Sequence, residues 1–330
     1  MKKKYTMIFC LSLLTLFMLF GCKQSPDKQS YSIQNIKIKI GSAPYPLDGV
    51  LCLPKGVVDP PVVIMVQGSG QSDYDETISL TNPFKDIAEG LAKQGVATLR
   101  FNKRYYQYPR TAPTDITIED EVLTDVALAI RFADDDSHTK NSQIFVLGHS
   151  LGGMLAPYIA RTNKEVKGIV ILAGTPRRLE DVILDQNIAA IQAMTNKTDA
   201  EKQALIASVQ TEVDKVKNLK DGDPLIKLFG VPSSYWLSLN KIDTPAIAKS
   251  LRIPMLILQG SADFQVSPVV DYQAWQDLLK DKSNVTFKLY DKLNHLFIVT
   301  NGKKDITEYS KRGRVDQQVI TDIALWVKQR

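Results

Sequence analysis

Residues 36–40, Ile-Lys-Ile-Lys-Ile, alternate apolar and charged positions, the period of a strand with one face in water. The apolar run 47–53 can return antiparallel beside it. Short, mainly apolar runs follow at 62–66, 96–101, 144–147, 169–172, 255–258 and 285–289. Short apolar runs of this length suit buried strands. Helical spacing fills several gaps between them. Within 83–94, Phe84, Ile87, Ala88 and Leu91 share one face, and Gly95 supplies a stop. Within 118–133, Val122, Val126, Ala129, Ile130 and Ala133 share a face. Glu119, Asp120 and Glu121 there occupy the first turn, where the helix dipole favours acid. Residues 151–161, 269–279 and 319–328 read as three more helices. Strands alternating with helices predict the α/β class, a mostly parallel central sheet with helices on both faces.

One stretch breaks this rhythm. From 177 to 250 no strong strand pattern occurs. Residues 179–194 and 200–219 read as helices, and 228–236 as irregular chain. An insertion between two core strands can form a cap over the sheet's carboxyl edge. The alternative is a peripheral helical pair with no role in a site. The cap is favoured by where the segment leaves the fold.

Composition narrows the class. The chain has 330 residues, 44% hydrophobic and 23% charged, which excludes a mainly disordered or coiled-coil protein. The net charge is +5, and Lys2, Lys3 and Lys4 carry three of these charges. Without residues 1–21 the charge falls to +2, too weak to imply a nucleic-acid partner. Three cysteines exclude a disulfide scaffold and a multi-cysteine metal cluster.

The amino terminus reads as an address. After Lys2–Lys4, residues 7–20 carry no charge, a length that suits a signal-peptide core better than a bilayer span. The segment ends Leu19-Phe20-Gly21-Cys22, which resembles a bacterial lipoprotein cleavage box, although Phe20 departs from the small residue favoured there. That resemblance implies a signal peptide at 1–21, lipidation of Cys22, and a lipid-anchored protein of the bacterial cell envelope. The polar residues after Cys22 favour this reading, with a tether at 22–34 and the folded domain at 35–330. An ordinary signal peptide or an uncleaved anchor are the alternatives. Cys52 then stands alone in the domain and reads as a small buried hydrophobe.

The candidate chemistry converges on Ser150. Gly148-His149-Ser150-Leu151-Gly152 matches G-x-S-x-G, directly after one apolar run and at the start of a helical one. On so sharp a turn flanking side chains would collide, so glycine is required. The turn exposes the hydroxyl and presents the Leu151 backbone N–H to a substrate oxygen. A serine hydroxyl needs a base, and the chain has three histidines. His149 adjoins the nucleophile and reads as structural. His138 lies in a polar loop before the serine's strand, at the opposite end of the sheet. His295 follows the last strand, at the edge where the serine must be. An acid should orient it, and Asp263 follows the run 255–258 at that same edge. Asp271, on a helix, and Asp291, four residues before the histidine, are its rivals. A second oxyanion donor is expected from the loop Gln67-Gly68-Ser69-Gly70-Gln71, where small residues permit close approach.

With these motifs the chain from about residue 36 to its end resembles the α/β-hydrolases, nearest the bacterial serine esterases of the dienelactone hydrolase and cinnamoyl (feruloyl) esterase type. The residues that carry the resemblance are Gln67-Gly68-Ser69-Gly70, Gly148-His149-Ser150-Leu151-Gly152-Gly153, Gln259-Gly260-Ser261-Ala262-Asp263 and Asn294-His295. The order Ser150, Asp263, His295 is the one expected of this fold. The resemblance implies a Ser-His-Asp triad, an oxyanion hole of the Leu151 and Ser69 N–H groups, and no cofactor or metal. Gln67 departs from the histidine usual before that glycine. A serine nucleophile separates the chain from dienelactone hydrolases proper, which use cysteine.

Substrate contacts are less sharply defined. Arg104, Tyr105 and their neighbours follow a strand at the active edge and can bind a planar acyl group or a carboxylate, or form a plain surface loop. Tyr235 and Trp236 can line the cap's underside or fill its core. Asp73, Asp75 and Glu76 read as solvated charges or as substrate contacts. The expected reaction is hydrolysis of small or medium acyl esters through an acyl-enzyme. A peptidase or thioesterase with the same triad, and a non-catalytic envelope binding protein, are the alternatives.

Overall fold

The structure, a computed structural model, describes residues 30–330. The signal-peptide segment and Cys22 lie outside the described residues. Eight strands form the main sheet: β1 Ile33–Ile40, β2 Leu47–Pro54, β3 Val62–Val66, β4 Ala97–Phe101, β5 Ile144–His149, β6 Val166–Leu172, β7 Met255–Gly260 and β8 Val285–Tyr290. Their spatial order is β1-β2-β4-β3-β5-β6-β7-β8. Pairings β1–β2 and β2–β4 are antiparallel, and all others are parallel. β1 begins inside the stretch expected to be tether. The Tyr31 N–H is already fixed to the Lys93 carbonyl at 2.8 Å, so the fold starts a few residues earlier.

Successive side chains of a strand face opposite sides of the sheet, so the apolar runs feed two separate cores. Val62, Ile64 and Val66 of β3 join Ile144, Val146, Ile169 and Ile257 on one face. Val63 and Met65 join Phe145, Leu147, Val170 and Leu258 on the other. The first face is covered by α2 (Thr124–Asp135) and α3 (Leu151–Thr162). The second is covered by α1 (Pro83–Ala92) through Phe84, Ile87 and Leu91, and by the C-terminal helix Gln317–Lys328 through Ile320 and Ile323. Each such side chain contributes roughly 1.5–3 kcal/mol on burial, so packing rather than helix propensity holds these helices. Cys52 is buried on β2, and burial pushes its thiol up to about 11.

Two expected helices differ at their starts. Residues Glu119–Leu123 and Pro268–Tyr272 form single π turns before α2 and before the helix Gln273–Leu279. The stretch 177–250 contains the helices Leu179–Ala193 and Asp199–Asn218, which pack on each other. Thr198 and Glu201 cap the second reciprocally. The segment read as irregular holds a two-residue hairpin, Lys227–Leu228 with Val231–Pro232, and then the helix Ser233–Asn240. Its polar Ser233, Ser234 and Ser238 mask the helical period in the sequence.

From β3 the chain moves outward to β4, then returns past β3 to β5 on its other side. Connections therefore diverge between β3 and β5, which opens a crevice at their carboxyl ends. Into this crevice run the loops after β3, β5, β7 and β8.

Candidate active site

Ser150 stands between β5 and α3 with φ +53° and ψ −116°, a conformation that L side chains rarely adopt. The elbow is locked sterically. A Cβ on Gly148 would come within 2.1 Å of the Gly152 carbonyl oxygen, and one on Gly152 within 2.3 Å of the Val66 carbonyl oxygen. The Ser150 N–H donates to the Leu172 carbonyl at 2.9 Å, which ties the elbow to the end of β6.

The loop after β8 brings His295 to the same place. It crosses so close to β7 that a Cβ on Gly260 would lie 2.2 Å from the Leu293 carbonyl oxygen. The Asn294 side-chain oxygen accepts from the N–H groups of Leu296 (3.0 Å) and Ile298 (3.1 Å), which fixes the turn. His295 Nδ1 lies 2.8 Å from Asp263 Oδ2, and both side chains are buried. A carboxylate only accepts, so Nδ1 carries the proton and Nε2 is left as the base. Asp263 is itself held by N–H groups of Gln265 (2.8 Å) and Val266 (2.9 Å) on one oxygen. Gln259 Nε2 donates to its other oxygen at 2.8 Å.

The rival residues are placed elsewhere. His138 is exposed beside Asp136. Asp291 accepts from the Ser261 hydroxyl at 3.3 Å. Asp271 is buried against Thr175 (2.6 Å), the Ser267 N–H (2.8 Å) and Arg177 (3.3 Å). Burial raises its carboxyl above the usual range although these partners oppose the shift.

Of three successive N–H groups in the loop after β3, two are engaged. Gly68 donates to Glu76 at 2.7 Å and Gly70 to Glu121 at 3.0 Å. Among the described residues, the N–H groups of Ser69 and Leu151 have no protein acceptor. The loop is braced by Lys103, which donates to the Gly68 carbonyl (2.6 Å), the Gly70 carbonyl (2.8 Å) and Glu121 (2.8 Å). Gln67 braces it from the other side by donating to the Phe101 and Asp73 carbonyls.

Ser150, His295, Ser69 and Leu151 line one cavity of about 1080 Å³. Residues of the 177–250 stretch, among them Val182, Ile183 and Phe229, form part of its wall. Tyr105, Tyr235 and Trp236 also line it. Arg104 does not, which corrects its assignment as a substrate contact. Its guanidinium is paired with buried Asp125, with Nε 3.0 Å from Oδ1. Asp73, Asp75 and Glu76 are engaged in bonds within the protein, and Glu76 also lines the cavity. Asp73 caps Asp75 and Thr77, Asp75 pairs with Arg100, and Glu76 bonds Gly68 and His149. Among the described residues no three His, Cys, Asp or Glu side chains are grouped to hold a metal ion.

Sequence reasoning missed Lys103, Glu121, Gln259 and the partners of Glu76. Lys103 sits two residues past an apolar strand at the carboxyl edge, the same positional signal that selected His295.

A serine on a strained elbow, a parallel sheet reversed between β3 and β5, and a helical insertion after β6 define an α/β-hydrolase. The family model described as serine aminopeptidase, S33 (Hydrolase_4) matches residues 78–300, and the chain belongs to that family. Esterase EstD of Thermotoga maritima is 38% identical over 281 residues, covering 85% of this chain and 65% of that protein. The chain thus spans less than two thirds of that relative's length. Est1E from Butyrivibrio proteoclasticus, whose structure is also known with ferulic acid bound, aligns with TM-score 0.56 and 17% identity. That alignment covers 89% of this chain and 99% of Est1E. The esterase Pf2001 of Pyrococcus furiosus aligns with TM-score 0.54 and 16% identity over 99% of both chains. At these identities the two structures share the fold.

Proposed function

We propose that the protein is a carboxylic ester hydrolase acting through Ser150, His295 and Asp263. The observation that carries this reading is the 2.8 Å contact of His295 Nδ1 with a fully held Asp263, beside a strained Ser150 in the same cavity. In the first half-reaction His295 Nε2 takes the Ser150 proton as Oγ attacks the acyl carbonyl. The Leu151 and Ser69 N–H groups hold the developing oxyanion. His295 then returns the proton to the departing alkoxide, leaving an acyl-serine. In the second half-reaction His295 deprotonates a water, which attacks the acyl carbon, and protonates Ser150 as the acid leaves. Asp263 stabilises the imidazolium formed in each half.

The cavity's apolar walls suit small or medium acyl groups, and the edges of Tyr105, Tyr235 and Trp236 contribute to that lining. The esterase names of the similar proteins favour esters. The family description, a serine aminopeptidase, favours a second reading as an amide hydrolase. The test is fluorophosphonate labelling with peptide mapping, beside turnover of p-nitrophenyl, aryl and feruloyl esters and of aminoacyl amides. An adduct on Ser150 with ester turnover above amide turnover is expected. An adduct elsewhere overturns the mechanism, and preferred amide turnover favours the peptidase.

We further propose attachment to the bacterial cell envelope through a lipid on Cys22. Cys22→Ser should release the protein from membranes and change its mature mass. Unaltered partitioning and mass would sink the anchor.

A further inference from the structure

His149 is a second histidine beside the proposed base, and it is buried at the centre of the site. Its two ring nitrogens both face acceptors. Nδ1 lies 3.0 Å from Glu76 Oε1, and Nε2 lies 3.0 Å from the backbone carbonyl oxygen of His295. The carbonyl can only accept, so Nε2 carries a proton. The proton between Nδ1 and Glu76 belongs to the stronger base. Imidazole is ordinarily the stronger base of the two, which assigns the proton to His149. The Gly68 N–H donates to the same Oε1 at 2.7 Å, which further favours the carboxylate. Burial alone would drive a proton off His149. Glu76's charge and hydrogen bond, with the His295 carbonyl and the charge of Asp263, outweigh it and raise the imidazole above its ordinary value.

The contacts of this pair reach both halves of the candidate machinery. Glu76 grips the first N–H of the oxyanion loop. His149 grips the backbone of His295 itself, and the two imidazole rings stand 4.6 Å apart. A Cβ on Gly68 would lie 3.2 Å from Ser150 Cβ and 3.4 Å from Glu76 Oε1, so the carboxylate stands close behind the nucleophile. Among the described residues Glu76 Oε2 is buried and has no hydrogen-bond partner.

We propose that Glu76 and His149 form a buried carboxylate–imidazolium pair that positions His295 against the oxyanion loop and keeps His295 neutral as a base. The inference rests on the ester-hydrolase reading for its kinetic consequence, but the ionisation of His149 stands apart from it. The charged or titratable groups around His295 come from four elements. They are Asp263 after β7, His149 on β5, Glu76 after β3, and Glu308 and Tyr309 on the turn Ile306–Ser310.

With three histidines in the chain, selective 15N-histidine labelling gives an uncrowded spectrum. At pH 7 the wild-type protein should show His149 protonated on both nitrogens and His295 on Nδ1 alone, with His149→Gln assigning the signals. Glu76→Gln should return His149 to the neutral form. It should also lower kcat by about 10–100-fold with KM held within about twofold, because the reacting groups lose their alignment while the cavity is kept. His149→Gln leaves Glu76 as an uncompensated negative charge, so the acidic limb of kcat/KM should move upward by about one pH unit. A neutral His149 in the wild-type spectrum overturns the pair, even if esters are turned over normally. So does an unmoved acidic limb in a folded His149→Gln protein. Lack of ester turnover alongside a doubly protonated His149 would instead overturn the ester-hydrolase reading and leave the pair intact.

Discussion

Lys103→Met tests whether the oxyanion loop is held by one ammonium. The Lys103 side chain is buried, and its three protons meet three acceptors at 2.6–2.8 Å. Methionine keeps most of the length, so no large cavity opens. The charge and three donors are lost, and half-buried Glu121 keeps the Gly70 N–H and the Tyr235 hydroxyl as partners. Three hydrogen bonds from a charged donor, at about 1.5–3 kcal/mol each, set an upper bound. Desolvation of the ammonium offsets much of that, and removing one side of a buried pair typically costs about 3–5 kcal/mol. The expected loss is therefore about 3–5 kcal/mol, a large part of the roughly 5–15 kcal/mol that holds a domain. Urea unfolding followed by tryptophan fluorescence reads this directly. Ester turnover should fall further than stability alone explains. The loop carrying Ser69 is freed, and losing one oxyanion donor costs about 10²–10³-fold. A loss under about 1 kcal/mol, with turnover preserved, would refute the claim that this residue braces the loop.

Asp263→Asn should lower kcat by about 10⁴-fold, through loss of the correct His295 tautomer, whereas His138→Ala should leave kcat within a few-fold; ester kinetics on folded protein decides between them. Stability should also follow the titration of His149. Its pKa is raised in the fold, so its contribution is fully present below about pH 6.5 and is lost as pH rises through the folded value. The urea-midpoint gap between wild type and His149→Gln should thus shrink from pH 6 toward pH 9, and a constant gap would contradict the assignment.

Much of this molecule is legible because buried strands and the elbow are local patterns. Unbroken runs such as Val62–Val66 are apolar because both faces of the strand are covered. Gly148 and Gly152 are required by backbone atoms within a few residues or on the adjacent strand. His295 and Asp263 are found by topology, since parallel strands deliver their loops to one edge. The bracing contacts have no such signature. His149 and Glu76 meet across 73 positions and Lys103 and Gly68 across 35, and no periodicity links them. Arg104 was misread because its partner Asp125 lies on the apolar face of α2, where a sequence pattern predicts no acid. Ser233–Asn240 was missed because tertiary burial of Tyr235 and Trp236, not an amphipathic stripe, makes it a helix.

Several ion pairs with a buried member share one location. Arg100–Asp75, Lys103–Glu121, Arg104–Asp125, His149–Glu76 and Arg177–Asp271 all involve residues at or just beyond the carboxyl ends of the central strands. Stability is a weak reason for them, because apolar replacements of such pairs are often neutral or stabilising. Directional geometry is a stronger reason. Apolar packing fixes α1 and the C-terminal helix well, but it is non-directional and tolerates small sliding. A loop carrying Ser69 or His295 must be held to fractions of an ångström, since a misplacement of about 1 Å can cost about 10²-fold in rate. Ionic hydrogen bonds supply that direction where the loops are too short and polar to build a core. Arg177 extends the same device to the root of the insertion, bonding both Asp271 and Asp185. The helix that lends Val182 and Ile183 to the cavity wall is thereby tied to the π turn Pro268–Tyr272, so the insertion and the chain that follows Asp263 are set by one connected frame.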